Sequence, residues 1–429
     1  MAAAGVNRWG QLVACLAAMM AIANLQYAWT LFTLPLTEGL GATLAAIQVA
    51  FTLFVLAETW LVPFEGYLVD RLGARAVVSV AAILVGASWV GSGLTGSLAG
   101  LYVAYALGGV GAGAVYGACI GTVLKWFPDR RGLAAGATAG AYGAATAVSV
   151  IPIQRMIAHS GYQEAFVVWG LVQGVCVLAA AQFIRRPPAG WAPAGAQVPE
   201  ATPMQSRVSY SPLEMMRTGR FWVMYATMML TAFGGLMVTA QIKPIAAHYG
   251  MDRYVVVFSM TALSVALITD RVLNGLTRPF WGWVSDRIGR YHTMAIAFGA
   301  EAAAIFALVH LIDRPLAFVL LTGFAFFAWG EIFSLFPATI ADVFGPRYAS
   351  TNYGVEYTAK GVAAIFAAWG AAHIVGIFGS WVPILWAAVV CDLTAAGLAL
   401  FCLKPLVAAA MKRERASGTP GAVEARVLV

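Results

Sequence analysis

Nine ionisable side chains stand inside stretches that are otherwise apolar: Glu58, Asp270, Arg271, Arg278, Glu301, Glu331, Glu356, Lys360 and Asp392. A charge in such surroundings costs roughly 3 kcal/mol or more unless it is paired or hydrated, so each one needs a partner or a task. Asp270, Asn274 and Arg278 recur at i, i+4 and i+8, which lines them along one helix face, and Pro279 can kink that helix directly after Arg278. Glu356 and Lys360 are again one turn apart. Two readings are open at this point. The acids and bases are structural ion pairs that hold helices together, or Arg278 and Lys360 converge from facing helices on an anion. Arg would offer a bidentate fork and Lys a movable point charge.

The elements that must position these groups are membrane helices. Hydrophobic residues make up 61% of the 429, charged residues only 10%, and mean hydropathy is +0.79. Soluble domains carry roughly 25% charged residues, so this chain could not cover a water-facing surface. Disorder and a secreted disulfide scaffold are excluded by the same figures. A span needs about 20 apolar residues. Twelve stretches qualify, near 9–33, 45–69, 76–95, 99–124, 132–157, 164–184, 221–246, 254–284, 293–311, 315–340, 352–377 and 381–403. The alternation of a transmembrane barrel is absent. Ala21-Ile22-Ala23 resembles a leader cleavage site, but cleavage there would destroy the first span.

Nineteen of the 26 Lys and Arg, including Arg8, Arg71, Lys125, Arg130, Arg131, Arg207, Arg287 and Arg426, fall on one face. Positive-inside asymmetry then places both termini and the 185–219 segment in the cytoplasm, and accounts for the net charge of +7 without nucleic-acid binding. That segment, with Pro187, Pro188, Pro193, Pro199, Pro203 and Pro212, reads as a linker between two six-span units, 1–184 and 220–404, followed by a tail, 405–429. The units share sequence. Val62-Pro-Phe-Glu-Gly-Tyr-Leu-Val-Asp-Arg-Leu-Gly73 and Arg278-Pro-Phe-Trp-Gly-Trp-Val-Ser-Asp-Arg-Ile-Gly289 agree at six of twelve positions, offset by 216. Parallel six-helix repeats around a central site are a transporter plan.

Within the repeated piece, Gly66, Asp70 and Arg71 correspond to Gly282, Asp286 and Arg287 at helix ends on the basic face. Glycine allows close helix contact, and the set reads either as a conformational latch or as a topology anchor. Gly109, Gly113, Gly117 and Gly121, and then Gly132, Gly136 and Gly140, repeat every four residues and predict close helix packing. The five cysteines lie inside spans as small packing residues. His159, His248, His292, His310 and His373 are scattered, and neither a metal-ligand set, a cofactor motif nor a nucleotide-binding G-x4-G-K-[ST] is present. An intramembrane enzyme and a channel or sensor are therefore the weaker classes, and a carrier the leading one, with a small organic anion and the bilayer as its partners and the monomer as its working unit.

Several segments together resemble the oxalate:formate antiporter family of the major facilitator superfamily, over nearly the whole chain. They are Leu25-Gln-Tyr-Ala-Trp-Thr30, Ala45-Ala-Ile-Gln-Val-Ala-Phe-Thr52, Val115-Tyr-Gly117, Lys125-Trp-Phe-Pro-Asp-Arg-Arg-Gly-Leu133, Arg278-Pro-Phe-Trp-Gly282, Ser285-Asp-Arg-Ile-Gly-Arg290, and Asn352-Tyr-Gly354 through Lys360. The resemblance implies an all-α membrane protein of twelve helices in two six-helix bundles, set in a bacterial inner membrane. It implies that Arg278 and Lys360 neutralise a dicarboxylate, and that Gln26, Tyr27, Gln48, Tyr116, Tyr142, Trp329 and Tyr357 line the site. Departures from the family pattern are Glu58, Asp270, Arg271, Glu331, Phe333, Glu356 and Tyr357. Extra carboxylates around a dianion would repel it unless they are paired or protonated. Glu356 is thus expected to pair with Lys360 in the empty site, or Glu58, Asp270 or Glu331 to carry a proton. Anion exchange of the oxalate/formate type is the leading expectation. Its alternative is proton-coupled symport of a monocarboxylate such as formate, lactate or pyruvate.

Overall fold

The computed structural model describes residues 7–127, 131–188, 206, 208–345 and 347–417. Most of the linker, and the tail beyond 417, lie outside the described residues, with Arg130, Arg207 and Arg426 among them; so does the side chain of Asp70. Nine helical stretches are long and apolar enough to cross a membrane, or ten when Leu44–Trp60 and Val62–Val69, bent by 47°, are taken as one. The 51-residue stretch Leu133–Phe183 holds two passages, because Gly161 at φ 84° breaks it. The remaining helix, Ala262–Ile288, is less apolar because it carries Asp270, Arg271, Asn274 and Arg278. Among the described residues these amount to the twelve passages expected.

We number them in chain order. Span 1 is Arg8–Tyr27 with Trp29–Leu40, and span 2 is Leu44–Trp60 with Val62–Leu72. Spans 3 and 4 are Ala74–Leu94 and Leu98–Trp126. Span 5 is Arg131–Ala144 with the part of Thr146–Phe183 before Gly161, and span 6 is the part beyond it. Span 7 is Gly219–His248, span 8 Ala262–Ile288, span 9 Arg290–Leu311, and span 10 Pro315–Trp329 with Ile332–Phe344. Span 11 runs Ala349–Ala364, a π-helical turn Ile365–Gly370, then Ala371–Phe378. Span 12 runs Val382–Gly397, a second π-helical turn Leu398–Leu403, then Lys404–Ser417, so the tail begins as helix.

Span 8 starts later than its hydropathy suggests. Residues Val255–Val257 and Met260–Thr261 pair as a short antiparallel hairpin, with Phe258 and Ser259 at positive φ in its turn. The β-branched run favours strand, and Thr261 then caps the helix by accepting from the Ser264 N–H.

The helices break where the ionisable and aromatic residues collect. Span 1 is interrupted at Ala28, next to Gln26 and Tyr27. Span 2 bends at Leu61, shortly after Glu58. Span 5 is interrupted at Ala145 near Tyr142, and span 10 at Gly330–Glu331 between Trp329 and Phe333. The π-helical turn of span 11 follows Lys360 and leaves the Ala368 carbonyl to accept from Gln241 Nε2 at 2.8 Å.

The two halves meet closely at glycines of spans 5 and 8. A Cβ on Gly275 would lie 2.6 Å from the Ala144 Cβ, and one on Gly140 would lie 3.1 Å from the Gly275 carbonyl oxygen. The glycine rows behave unequally. Gly109 and Gly113 press on the backbone of span 2 at Phe54 and Glu58, whereas Gly117, Gly121 and Gly136 have nothing near. Gly275→Val should therefore cost about 1–3 kcal/mol of overpacking. Gly136→Ala, directed into open space, should be neutral within about 0.5 kcal/mol. Thermal unfolding of the detergent-purified variants checks this, and equal shifts would contradict the contact.

Candidate functional site

Lys360, wholly buried in span 11, is the centre of a polar cluster that spans both halves. Its ammonium donates to Glu58 Oε2 at 2.8 Å, to Gln26 Oε1 at 2.9 Å and to the Tyr357 hydroxyl at 3.0 Å. The Tyr142 hydroxyl stands 3.0 Å from both Gln26 Oε1 and Glu58 Oε1, so its single proton serves one of them at a time. Lys360 and Tyr357 come from span 11, Gln26 from span 1, Glu58 from span 2 and Tyr142 from span 5.

This overturns one expectation. Glu356 does not pair with Lys360: both its oxygens lack a hydrogen-bond partner among the described residues, while Glu58 forms the ion pair. One turn of separation puts two side chains on the same helix face, but Lys360 faces the other half, where Glu58 is waiting.

Arg278, also buried, reaches across to span 5, where Nη1 donates to the Ala139 carbonyl. Its Nε and Nη2 have no hydrogen-bond partner among the described residues. The guanidinium lies 4.5 Å from the centroid of the Phe333 ring, and the Lys360 ammonium lies 5.6 Å from the same ring. Both basic groups therefore bear on one phenyl face or edge in span 10. Cation–π contact suits such groups because the ring quadrupole attracts the cation without a hydrogen bond. The surrounding rings are in mutual contact: Tyr27 with Tyr142 at 5.2 Å, Tyr142 with Tyr116 at 5.6 Å, Tyr116 stacked on Tyr357 at 6.1 Å, and Tyr357 with Phe333 at 6.3 Å. Gln26 Nε2 and the Tyr27 hydroxyl are buried and without partner among the described residues.

Two of the expected lining residues sit elsewhere in the network. Gln48 accepts from Trp29 Nε1 at 2.9 Å and donates to the Ala240 carbonyl and Gln241 Oε1 at 2.8 and 2.9 Å, tying span 2 to span 7 away from the two cations. Trp329 fills the face of Gly235, and touches Phe333 edge-on at 5.3 Å from behind. A second basic group, Arg271, lies 4.3 Å from the Tyr27 ring centroid and 4.1 Å from that of Phe326, and both oxygens of the adjoining Asp270 lack a hydrogen-bond partner among the described residues. Glu331 lies at the span 10 break. Glu301 and Asp392 face one another over Gly234, whose Cβ would meet both.

The paired loop motifs are more modest. Arg71 stacks on Tyr67 and Arg287 on Trp283, each within its own helix. Asp286 and Asp342 both bind Arg290 at 3.1 Å, joining the start of span 9 to spans 8 and 10 of the same half. Gly66 and Gly282 approach nothing.

Phe333 carries a part of the site that residue type alone gave little reason to pick, and Glu65 is a buried acid beside the site that was not singled out. Phe333 is an apolar residue in an apolar helix. Glu65 had a signal, an acid inside span 2, where it packs on Gly113 with both oxygens lacking a hydrogen-bond partner among the described residues.

Chemically, the centre offers a lysine, a forked guanidinium with unused donors, phenolic and amide donors, and walls of aromatic ring. That set has the donors and charge to match a small anion. The family model described as Major Facilitator Superfamily matches residues 14–367. The oxalate:formate antiporter of Oxalobacter formigenes is 36% identical over 375 residues, which cover 87% of this chain and 86% of that protein. A probable sulfoacetate transporter, SauU, of Cupriavidus necator is 26% identical over 35% of each chain. Human monocarboxylate transporter 14 is 25% identical over 34% of this chain and 28% of its own length.

Removing one partner of a buried ion pair strands the other, at about 3–5 kcal/mol. Lys360→Met and Glu58→Gln are each expected to lower thermal stability by an amount of that order, and the double variant to recover most of it. A double-mutant cycle on melting in detergent measures the coupling; strictly additive losses would mean the two groups do not depend on each other.

Proposed function

The chain belongs to the major facilitator superfamily, and on that premise we propose that it is a secondary carrier exchanging small carboxylates of the oxalate and formate type. It is a multi-pass membrane transporter rather than an enzyme. The terminal face, rich in Lys and Arg, is assigned to the cytoplasm of a bacterial inner membrane, and one chain is the working unit.

The observation that carries the reading is the pair of buried cations, Arg278 and Lys360, bearing on the single ring of Phe333. Arg278 keeps two donor nitrogens for a carboxylate, in the planar fork that a carboxylate matches. Lys360 can turn its ammonium from Glu58 toward a second carboxylate. Gln26 and Tyr27 supply neutral donors, and the tyrosine rings exclude water so that these contacts act in a low dielectric.

Alternating access then needs the halves to separate on one face while they close on the other. On the face away from the termini, the Lys243 N–H donates to Thr30 Oγ1 at 2.9 Å, and its ammonium donates to the Leu31 carbonyl at 2.5 Å. Gln48 with Gln241 and Gln154 with Ser264 close the same side. On the terminal side Trp60 Nε1 donates to the Thr358 carbonyl at 3.2 Å.

The test is exchange of labelled oxalate into liposomes preloaded with formate or oxalate. Arg278→Gln and Lys360→Gln should each cut the rate by at least about 100-fold, the scale expected when a desolvated charge partner is lost. Arg278→Lys should fail to restore it, because the fork is lost. Exchange in the Arg278→Gln protein within a few-fold of the parent would remove Arg278 from the site.

A further inference from the structure

Resting on the exchange reading, we propose that Arg271 is a second guanidinium contact of the same site. Together with Arg278 it takes dicarboxylates whose acid groups are separated by a short carbon chain, of which succinate is a simple probe.

Arg271 is only 1% exposed, in the middle of span 8, with its guanidinium against the rings of Tyr27 and Phe326. Its Nε and Nη1 have no hydrogen-bond partner among the described residues. The adjoining Asp270 reaches toward span 10 instead, where its Oδ1 stands 3.8 Å from the place of a Cβ on Gly323. An arginine that braced the bundle at this depth would spend its donors on carbonyls or a carboxylate. Ring contact attracts the cation but leaves those N–H groups unused.

The groups beside it are unmet in the same way. Asn274, one turn further along, is wholly buried, and neither polar atom of its side chain has a partner among the described residues. The same holds for the Tyr27 hydroxyl, which stands in electrostatic reach of Arg271, Arg278 and Asn274. Burying several polar groups unpaired is costly, and a ligand that pairs them removes the cost. Arg271, Asn274 and Arg278 share one face of span 8, and Tyr27 of span 1 lies beside them. Tyr27 also touches Tyr142 at 5.2 Å, so this column is continuous with the aromatic enclosure around Lys360.

Charge and length then select the ligand. Lys360 already holds a carboxylate, that of Glu58 at 2.8 Å, whereas Arg278 and Arg271 have no ion pair among the described residues. Two guanidinium forks suit the two carboxylates of a dianion. Arg271 precedes Arg278 by seven residues, which is two turns on the same face and about 10 Å along the axis. Two charge-assisted hydrogen bonds of about 2.8 Å take up just over half of that length. The rest accommodates two carboxylates joined by a short chain, with the Tyr27 hydroxyl and the Asn274 amide beside it. Oxalate, whose carboxyl carbons are bonded directly to one another, is too short for this span and is left to Arg278 and Lys360.

The measurement is uptake of labelled succinate by the full-length protein in liposomes preloaded with succinate, run beside labelled oxalate in oxalate-loaded liposomes. The parent protein should exchange succinate, and succinate should compete with oxalate uptake at least about tenfold better than butyrate, which has the same carbon chain and one carboxylate fewer. Arg271→Gln should lower the ratio of succinate to oxalate exchange by at least about 30-fold, the scale for loss of a desolvated charge partner. Arg271→Lys, which keeps the charge but not the fork, should fall between the two. Equal losses of succinate and oxalate exchange in Arg271→Gln would make Arg271 a structural residue and overturn the proposal. If that variant does not reconstitute, the parent decides: oxalate exchange without succinate exchange overturns the proposal and leaves the exchange reading standing. A parent protein that exchanges neither oxalate nor formate defeats the exchange reading itself.

Discussion

A lysine ammonium buried among twelve membrane helices must be neutralised where it stands, and that requirement organises the centre of this protein. Lys360 is met by Glu58, Gln26 and Tyr357. Those partners come from spans 1, 2 and 11, so a single side chain fixes three helices relative to one another. Tyr142 extends the same network to span 5 through Glu58 and Gln26. An ordinary surface ion pair would contribute under about 1 kcal/mol. A desolvated one contributes little net stability either, but it makes the loss of any member expensive, and so enforces one arrangement of helices.

The helix interruptions follow from the same requirement. A regular α-helix directs side chains outward at fixed angles and uses up its own carbonyls. Breaks at Ala28, Leu61, Ala145 and Gly330–Glu331 re-aim Gln26, Glu58, Tyr142 and Phe333 toward one place, and at the π-helical turn in span 11 the Ala368 carbonyl also accepts from Gln241. Backbone groups released in this way are tolerable at membrane depth only where protein covers them. Glycine contacts supply that cover between the halves, as at Gly140 and Gly275.

Much of this was readable from residue types. Arg278 and Lys360 stand out because cations in apolar helices are costly, and the duplication around Gly66–Asp70–Arg71 and Gly282–Asp286–Arg287 marks the two halves. The Lys360 partner was not readable. Glu356 is one turn away, whereas Glu58 is 302 positions distant, and only the packing of span 2 against span 11 joins them. Span 8 illustrates the opposite case: hydropathy extends it back to residue 254, but a β-branched run folds as a hairpin first. Phe333 had no polar signature at all, because its role depends on which charges lie over its ring. Gln48 matched a lining position by resemblance, yet its bonds run to span 7 and close one face.

Both buried cations of the centre belong to the second half of the chain, and both spend donors on the first. Lys360 bonds to Gln26 and Glu58, and Arg278 bonds to the Ala139 carbonyl. On the proposed reading, an anion arriving between them would compete for the same donors that hold the halves together at that depth. Binding and loosening of the interface are therefore one event, since a ligand shifts a conformational equilibrium only by contacts that differ between the two states. With the anion gone, the cations would return to their cross-bonds, and the second half would regain its hold on the first. A carrier built this way has a reason to wait for a substrate before it moves, and the reason lies in which half owns the charges.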